Sequence, residues 1–215
     1  MYYFFRAILS LVFHIRYRIN IIHRENIPDM KGGFIIAANH QRYADPPMIS
    51  VIKSAKYSFM AKEELFKKNR LFAWLIRHCG AFPVERGSGD DEPIRKSVEV
   101  VHDNRILIIF PEGTRSKDEV IGRMRSGVIL VASKAEAPVL PVCIRYSGKR
   151  RVDINVGRLI PAEELRIEDQ DRRSMRKAAS RIGEELLSLQ KEIYESAGDP
   201  VPSKRKTEES AGDSD

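Results

Sequence analysis

Cysteine is scarce in this chain. Cys79 and Cys143 are the only two in 215 residues, and each stands alone, so they frame neither a metal knuckle nor a set of bridges. They read as small apolar residues of a reducing compartment. Nothing around Cys79 marks it as an activated thiol, which excludes it as an acyl carrier. Long hydrophobic runs are also missing. A spanning helix needs about 20 apolar residues, and the candidate run at residues 1–18 is shorter and contains Arg6. That run also lacks the small-residue cleavage site of a signal peptide. No His, Cys, Asp or Glu grouping has metal-ligand spacing. There is no internal repeat. With no nucleic-acid module and no stripe of aromatics among basic residues, nucleic acid is not an expected partner.

What is present is the composition of a globular protein, 42% hydrophobic and 31% charged. The length suits one domain with a core of its own. The formal net charge of +7 favours an anionic membrane or a phosphorylated substrate once nucleic acid is set aside. Residues 1–18, MYYFFRAILSLVFHIRYR, crowd Tyr2, Tyr3, Phe4, Phe5 and Phe13 among aliphatics, with Arg6, Arg16 and Arg18 breaking and bordering them. Such bulk beside arginines suits a helix lying in a membrane interface better than a core helix. The expected organisation is an amphipathic interface helix at 1–20, an α/β domain at 21–196 and a disordered, polar tail at 197–215. Deleting residues 1–18 should then release the protein from membranes.

Periodicity places an edge strand at 21–27 and further strands at 34–38, 57–61, within 80–87, at 106–110, 139–146 and 152–156. The unbroken run Ile106-Leu107-Ile108-Ile109-Phe110 predicts a central strand covered on both faces. Helices are expected at 46–54, from 62, at 71–78, 92–103 and 126–135, with a turn-rich link at 87–91. Met175, Ala178, Ala179, Ile182, Leu186, Leu189 and Ile193 mark one face of a long amphipathic helix. Strands alternating with helices give an α/β fold, a mixed sheet flanked by helices.

One stretch carries chemistry. The strand at 34–38 ends at Asn39-His40, and Asp45-Pro46-Pro47 follows as a helix start with Asp45 as N-cap. The turn between can fold imidazole and carboxylate together. A histidine whose far nitrogen donates to a carboxylate is held in one tautomer, with its other nitrogen free to take a proton. No serine in the stretch is placed as a nucleophile, so the natural proton donor is a substrate hydroxyl. On position alone, an Asp that merely caps a helix and a His that fills a turn explain the pattern equally well.

Arg86 and Arg115 each follow a strand end, where α/β proteins gather binding residues. Guanidinium groups grip phosphate through paired hydrogen bonds, though each residue is also one of many surface arginines. The turn Glu112-Gly113-Thr114 can aim backbone N–H groups at an anion or an oxyanion. Glu112 is either an ordinary turn carboxylate, a group that orients an arginine, or an acceptor for a substrate hydroxyl. Lys62 stands at a strand end. Arg172, Arg173, Arg176 and Lys177 form a solvated helix face or a lipid-headgroup contact.

Four blocks, taken in order, resemble the glycerolipid acyltransferase family of 1-acylglycerol-3-phosphate O-acyltransferases. They are Asn39-His40-Gln41-Arg42-Tyr43-Ala44-Asp45-Pro46, the run from Gly80 to Arg86, Phe110-Pro111-Glu112-Gly113-Thr114-Arg115-Ser116, and the apolar Ala137-Pro138-Val139-Leu140-Pro141-Val142. The resemblance covers roughly residues 24–145; residues 146–215 carry no family signature. It implies a peripheral enzyme on the cytoplasmic face of the cell membrane. This enzyme moves an acyl group from acyl-CoA or acyl carrier protein to lysophosphatidic acid, with no cofactor beyond the donor substrate. By that similarity His40 is the general base and Asp45 its partner, and Arg86, Glu112, Gly113 and Arg115 hold the phosphate-bearing acceptor. Asn39, Lys62 and Thr114 complete the expected substrate-binding set.

Overall fold

A strand apolar at every position must be covered on both faces, and the run at 106–109 is placed accordingly. The computed structural model describes residues 2–84, 91–116, 118–167 and 172–203. Its strands are β1 (Arg18–Ile22), β2 (Ile35–Ala38), β3 (Tyr57–Lys62), β4 (Ala81–Val84), β5 (Ile106–Ile109), β6 (Val139–Ser147) and β7 (Arg151–Val156). They form one sheet in the order β1-β7-β6-β2-β5-β3-β4. Only β6 and β7 pair antiparallel, so the sheet is mixed as expected. β2 and β5 lie side by side near its middle. Their alternate side chains feed two separate cores, Ile36 and Ile108 on one face, Ile35, Ala37, Leu107 and Ile109 on the other.

The helices are α1 (Tyr2–Arg16), α2 (Asp45–Ile49), α3 (Glu64–Lys68), α4 (Arg70–His78), α5 (Glu92–His102), α6 (Gly127–Ala135) and α7 (Arg172–Ser196). Residues of α5, α6 and α7 build the second core, and Met48, Ile49, Phe66 and Ala73 of α2, α3 and α4 join the first. α7 buries Ala179, Ile182, Leu186, Leu189 and Ile193, the stripe that its 3.6-residue period predicts.

Three boundaries differ from expectation. The edge strand falls at Arg18–Ile22 rather than 21–27, because pairing with β7 begins at Arg18 and ends where His23 takes a left-handed φ of 54°. The helix after Asp45 is shorter, giving way to a 3-10 turn over Ser50–Ile52. Residues at the start of the expected tail are held: Asp199 donates its N–H to the Tyr194 carbonyl at 2.9 Å, and its carboxylate pairs with Arg145. The remainder from 204 on lies outside the described residues, as do 85–90, which include most of the turn-rich link.

α1 buries none of its residues fully. Phe4, Leu11 and Ile15 stand exposed at 64, 61 and 74%. Its inner side is tied down. Arg6, which interrupts the apolar run, donates to the Lys53 carbonyl at 2.6 Å, and the Tyr2 hydroxyl accepts from the Tyr57 amide at 2.7 Å. Phe5 meets Trp74 of α4 edge-on at 5.1 Å. No helix among the described residues is long and apolar enough to cross a membrane.

Candidate active site

β2 and β5 both end at the same edge of the sheet, and the loops that leave them meet there. β2 has β6 on its other side. Chains depart in different directions from such a place and leave a crevice. Two clamps fix His40 in it. Its carbonyl accepts from the Ser116 amide at 2.8 Å, and its own amide donates to Glu112 Oε1 at 3.1 Å. The imidazole stacks on Phe110 with centroids 4.0 Å apart and planes 19° from parallel.

His40 Nδ1 lies 2.8 Å from Asp45 Oδ2. A carboxylate accepts, so Nδ1 carries the hydrogen and Nε2 presents its lone pair. The His40 side chain is 19% exposed while that of Asp45 is 0% exposed. A buried charge persists only when it is hydrogen-bonded, and Asp45 is bonded throughout. The amides of Gln41 and Arg42 donate to Oδ2, each at 2.7 Å, and the Tyr146 hydroxyl donates to Oδ1 at 2.7 Å. The Arg42 guanidinium sits 4.0 Å over the Tyr146 ring. Burial, and then the adjoining Asp45 carboxylate, pushes the Tyr146 hydroxyl far above its ordinary range and keeps it a donor. Asp45 is therefore not the N-cap expected of it. Ala44 occupies that position, and the Asp45 side chain turns back toward the preceding loop.

Glu112 is the second carboxylate of the site. It is buried, and its oxygens accept from the amides of His40 and Gly122, the latter at 2.9 Å. Burial raises its pKa and the two N–H donors oppose the rise. It braces the backbone, a use different from each of the roles weighed for it. Gly113 adopts φ +72°, and its amide donates to the Phe110 carbonyl at 3.0 Å, which closes the turn instead of facing a ligand. A Cβ there would meet Arg125 Nε at 2.8 Å. Arg115 is exposed, its guanidinium 3.6 Å from the Tyr43 ring centroid, and Thr114 beside it is also exposed. Lys62, the last residue of β3, is exposed at the same edge of the sheet.

Asn39 departs from its expected role in substrate binding. It is buried, its Nδ2 donating to the Ile144 carbonyl at 2.9 Å and its Oδ1 accepting from the Ile144 amide at 2.8 Å. Both ends of the carboxamide clasp β2 to β6. Arg86 lies outside the described residues. Tyr146, Phe110 and Arg42 are contributors that sequence reasoning gave no role. Among the described residues no three His, Cys, Asp or Glu side chains gather as a metal-ligand group.

A histidine held in one tautomer by a buried carboxylate, with Nε2 toward solvent, can accept a proton from a hydroxyl. The model of the Acyltransferase family matches residues 18–145. Over 189 residues the chain is 32% identical to the 1-acyl-sn-glycerol-3-phosphate acyltransferase of Streptococcus pneumoniae, covering 83% of this chain and 68% of that one. It is 29% identical over 168 residues to the enzyme of the same name from Bacillus subtilis, covering 77% and 82%. Its fold is similar to that of the 1-acyl-sn-glycerophosphate acyltransferase of Thermotoga maritima, with a TM-score of 0.67 at 24% identity, over 88% of this chain and 78% of that one.

Proposed function

The chain belongs to the acyltransferase family, and from that premise we propose that it acylates the sn-2 hydroxyl of 1-acyl-glycerol 3-phosphate to give phosphatidic acid. The donor is a fatty acyl thioester, acyl-CoA or acyl carrier protein. The observation that supports this reading is the 2.8 Å contact between His40 Nδ1 and Asp45 Oδ2, with no serine or cysteine side chain bonded to His40 among the described residues. With no such nucleophile beside His40 among the described residues, the substrate's own hydroxyl is the group to activate. The names of the curated relatives point to the same acceptor.

In this mechanism Nε2 of His40 takes the hydroxyl proton as the oxygen attacks the thioester carbonyl. The tetrahedral intermediate collapses, the C–S bond breaks, and the sulfur leaves as thiolate or takes the proton back from His40. Thiols ionise near pH 8.5, so this leaving group departs far more easily than an alkoxide. Asp45 holds the imidazole in its productive tautomer and stabilises the imidazolium that forms.

The enzyme works from a membrane surface in this reading. The exposed apolar side of α1 lies in the interface of an anionic bilayer, on the cytoplasmic face, where the lipid acceptor resides.

Product analysis tests the proposal. Lysophosphatidic acid and a long-chain acyl thioester, incubated with the protein, should yield phosphatidic acid with stoichiometric free thiol. Free fatty acid in its place would identify a hydrolase using the same dyad.

A further inference from the structure

Beyond the dyad, a second feature of the same sheet edge carries chemistry. The segment after the Glu112 turn, residues 122–126, runs beside the start of α7, and between them opens a cleft of about 960 Å³. Arg123 and Arg125 line it from one side and Arg173 and Arg176 from the other. None of the four is ion-paired among the described residues. Elsewhere, Arg145, Arg151 and Arg181 are paired with Asp199, Asp153 and Glu164. Four unneutralised guanidiniums facing one space repel one another, and an anion relieves that repulsion. Met124 and Met175 also line the cleft. Thioether side chains pack well against aromatic rings. The one carboxylate on the wall, Glu112, is already engaged by the amides of His40 and Gly122. The cleft wall is thus one hydrogen bond from the backbone of the general base.

We infer that this cleft binds the nucleotide end of a coenzyme A thioester, its phosphates among the four arginines and its purine against the methionines. The inference rests on the acyl-transfer reading above and names the donor that reading left open. Two quantities favour it over the single phosphate of the acceptor. Coenzyme A carries three phosphates, a better match to four positive charges. The cleft is also at the upper end of the usual 300 to roughly 1,000 Å³ of small-molecule pockets, more than one glycerol phosphate head fills. Arg173 and Arg176, read from sequence as a solvated or lipid-facing stripe, acquire a specific use.

Arg173→Gln/Arg176→Gln is the variant of choice, because both side chains are exposed on α7 and neither packs in a core. Two measurements on the full-length protein decide the matter. Calorimetric titration with free coenzyme A needs no turnover. Wild type should bind, and the double variant should bind roughly tenfold or more weakly, the loss expected from charge-assisted hydrogen bonds. Steady-state kinetics with acyl-CoA and with the same acyl chain on pantetheine, which lacks the nucleotide phosphates, gives the second arm. The variant should raise the acyl-CoA KM about as much as binding falls, leaving KM for acyl-pantetheine and for lysophosphatidic acid unchanged.

Absence of coenzyme A binding by wild type overturns the inference whether or not phosphatidic acid is made. A raised KM for lysophosphatidic acid with donor KM unchanged reassigns the cleft to the acceptor. Turnover with acyl carrier protein alone reassigns it to an acidic protein surface. Coenzyme A binding without phosphatidic acid formation from any donor would instead sink the acceptor reading and keep the cleft.

Discussion

At the residue scale, the site rests on making a buried carboxylate tolerable. Asp45 accepts four hydrogen bonds, one of them from the His40 ring. Asp45→Asn keeps one oxygen for the His40 ring and the amides of Gln41 and Arg42, but removes the negative charge and turns an NH2 toward Tyr146, whose hydroxyl must then accept. Turnover should fall about 10² to 10⁴-fold, the usual contribution of general base catalysis. Stability should fall by about 1–3 kcal/mol as charge-assisted hydrogen bonds become neutral ones, seen as a lower denaturant midpoint. Tyr146→Phe is the milder test. The ring stays beneath Arg42 and only the bond to Oδ1 is lost, so kcat should fall about tenfold, in line with one charge-assisted hydrogen bond. KM for the acceptor should not move, which separates a positioning role from a binding one. The pair His40 and Asp45 was legible in sequence because the four residues between them form a turn that brings the two together. Tyr146 was not, since it lies 101 residues from Asp45 and reaches it only through the pairing of β2 with β6. The same pairing explains Asn39, whose place beside His40 pointed to substrate while its side chain points to Ile144.

At the scale of elements, α1 has two jobs on two sides. Its outer side leaves apolar bulk exposed, the side proposed to meet a bilayer, and its inner side is built into the domain through Arg6, Tyr2 and Phe13, the last packed against the first core. Tyr17, just beyond α1, touches Tyr146, ring centroids 6.3 Å apart, and Tyr146 holds Asp45. Removing residues 1–18 would therefore disturb the dyad as well as the proposed membrane contact. Point charges on the outer side separate the two. Leu11→Glu/Ile15→Glu should lower the fraction of protein that sediments with anionic vesicles and leave the melting temperature within a few degrees of wild type. Unchanged sedimentation would remove α1 from the membrane contact. Trp74, Leu71 and Phe72 of α4 are also exposed, and Phe5 joins the two helices into one apolar face. The central strands were legible because each is apolar throughout. The strand order was not: β7 inserts between β1 and β6 through pairings that no local pattern encodes. The start of β1 was misjudged for the same reason, since its partner β7 lies more than 130 residues away in the chain.

For the whole molecule, charge and shape act together. A net charge of +7 draws an anionic surface and anionic substrates toward the same protein. Such attraction is screened over about 10 Å at 0.1 M salt. Vesicle binding should therefore weaken as salt rises from about 0.05 to 0.5 M. Turnover on acceptor dispersed in detergent should respond less. In the proposed reading, the apolar side of α1 and α4, the dyad at the ends of β2 and β5, and the arginine cleft beyond them form a path from bilayer to chemistry to donor. The dyad is the centre of that account. Its most direct test is the rate of phosphatidic acid formation by wild type and His40→Ala at saturating lysophosphatidic acid, with binding of that lipid measured on both proteins. The rate should fall about 10² to 10⁴-fold with binding unchanged. A His40→Ala protein that turns over at the wild-type rate would contradict the account.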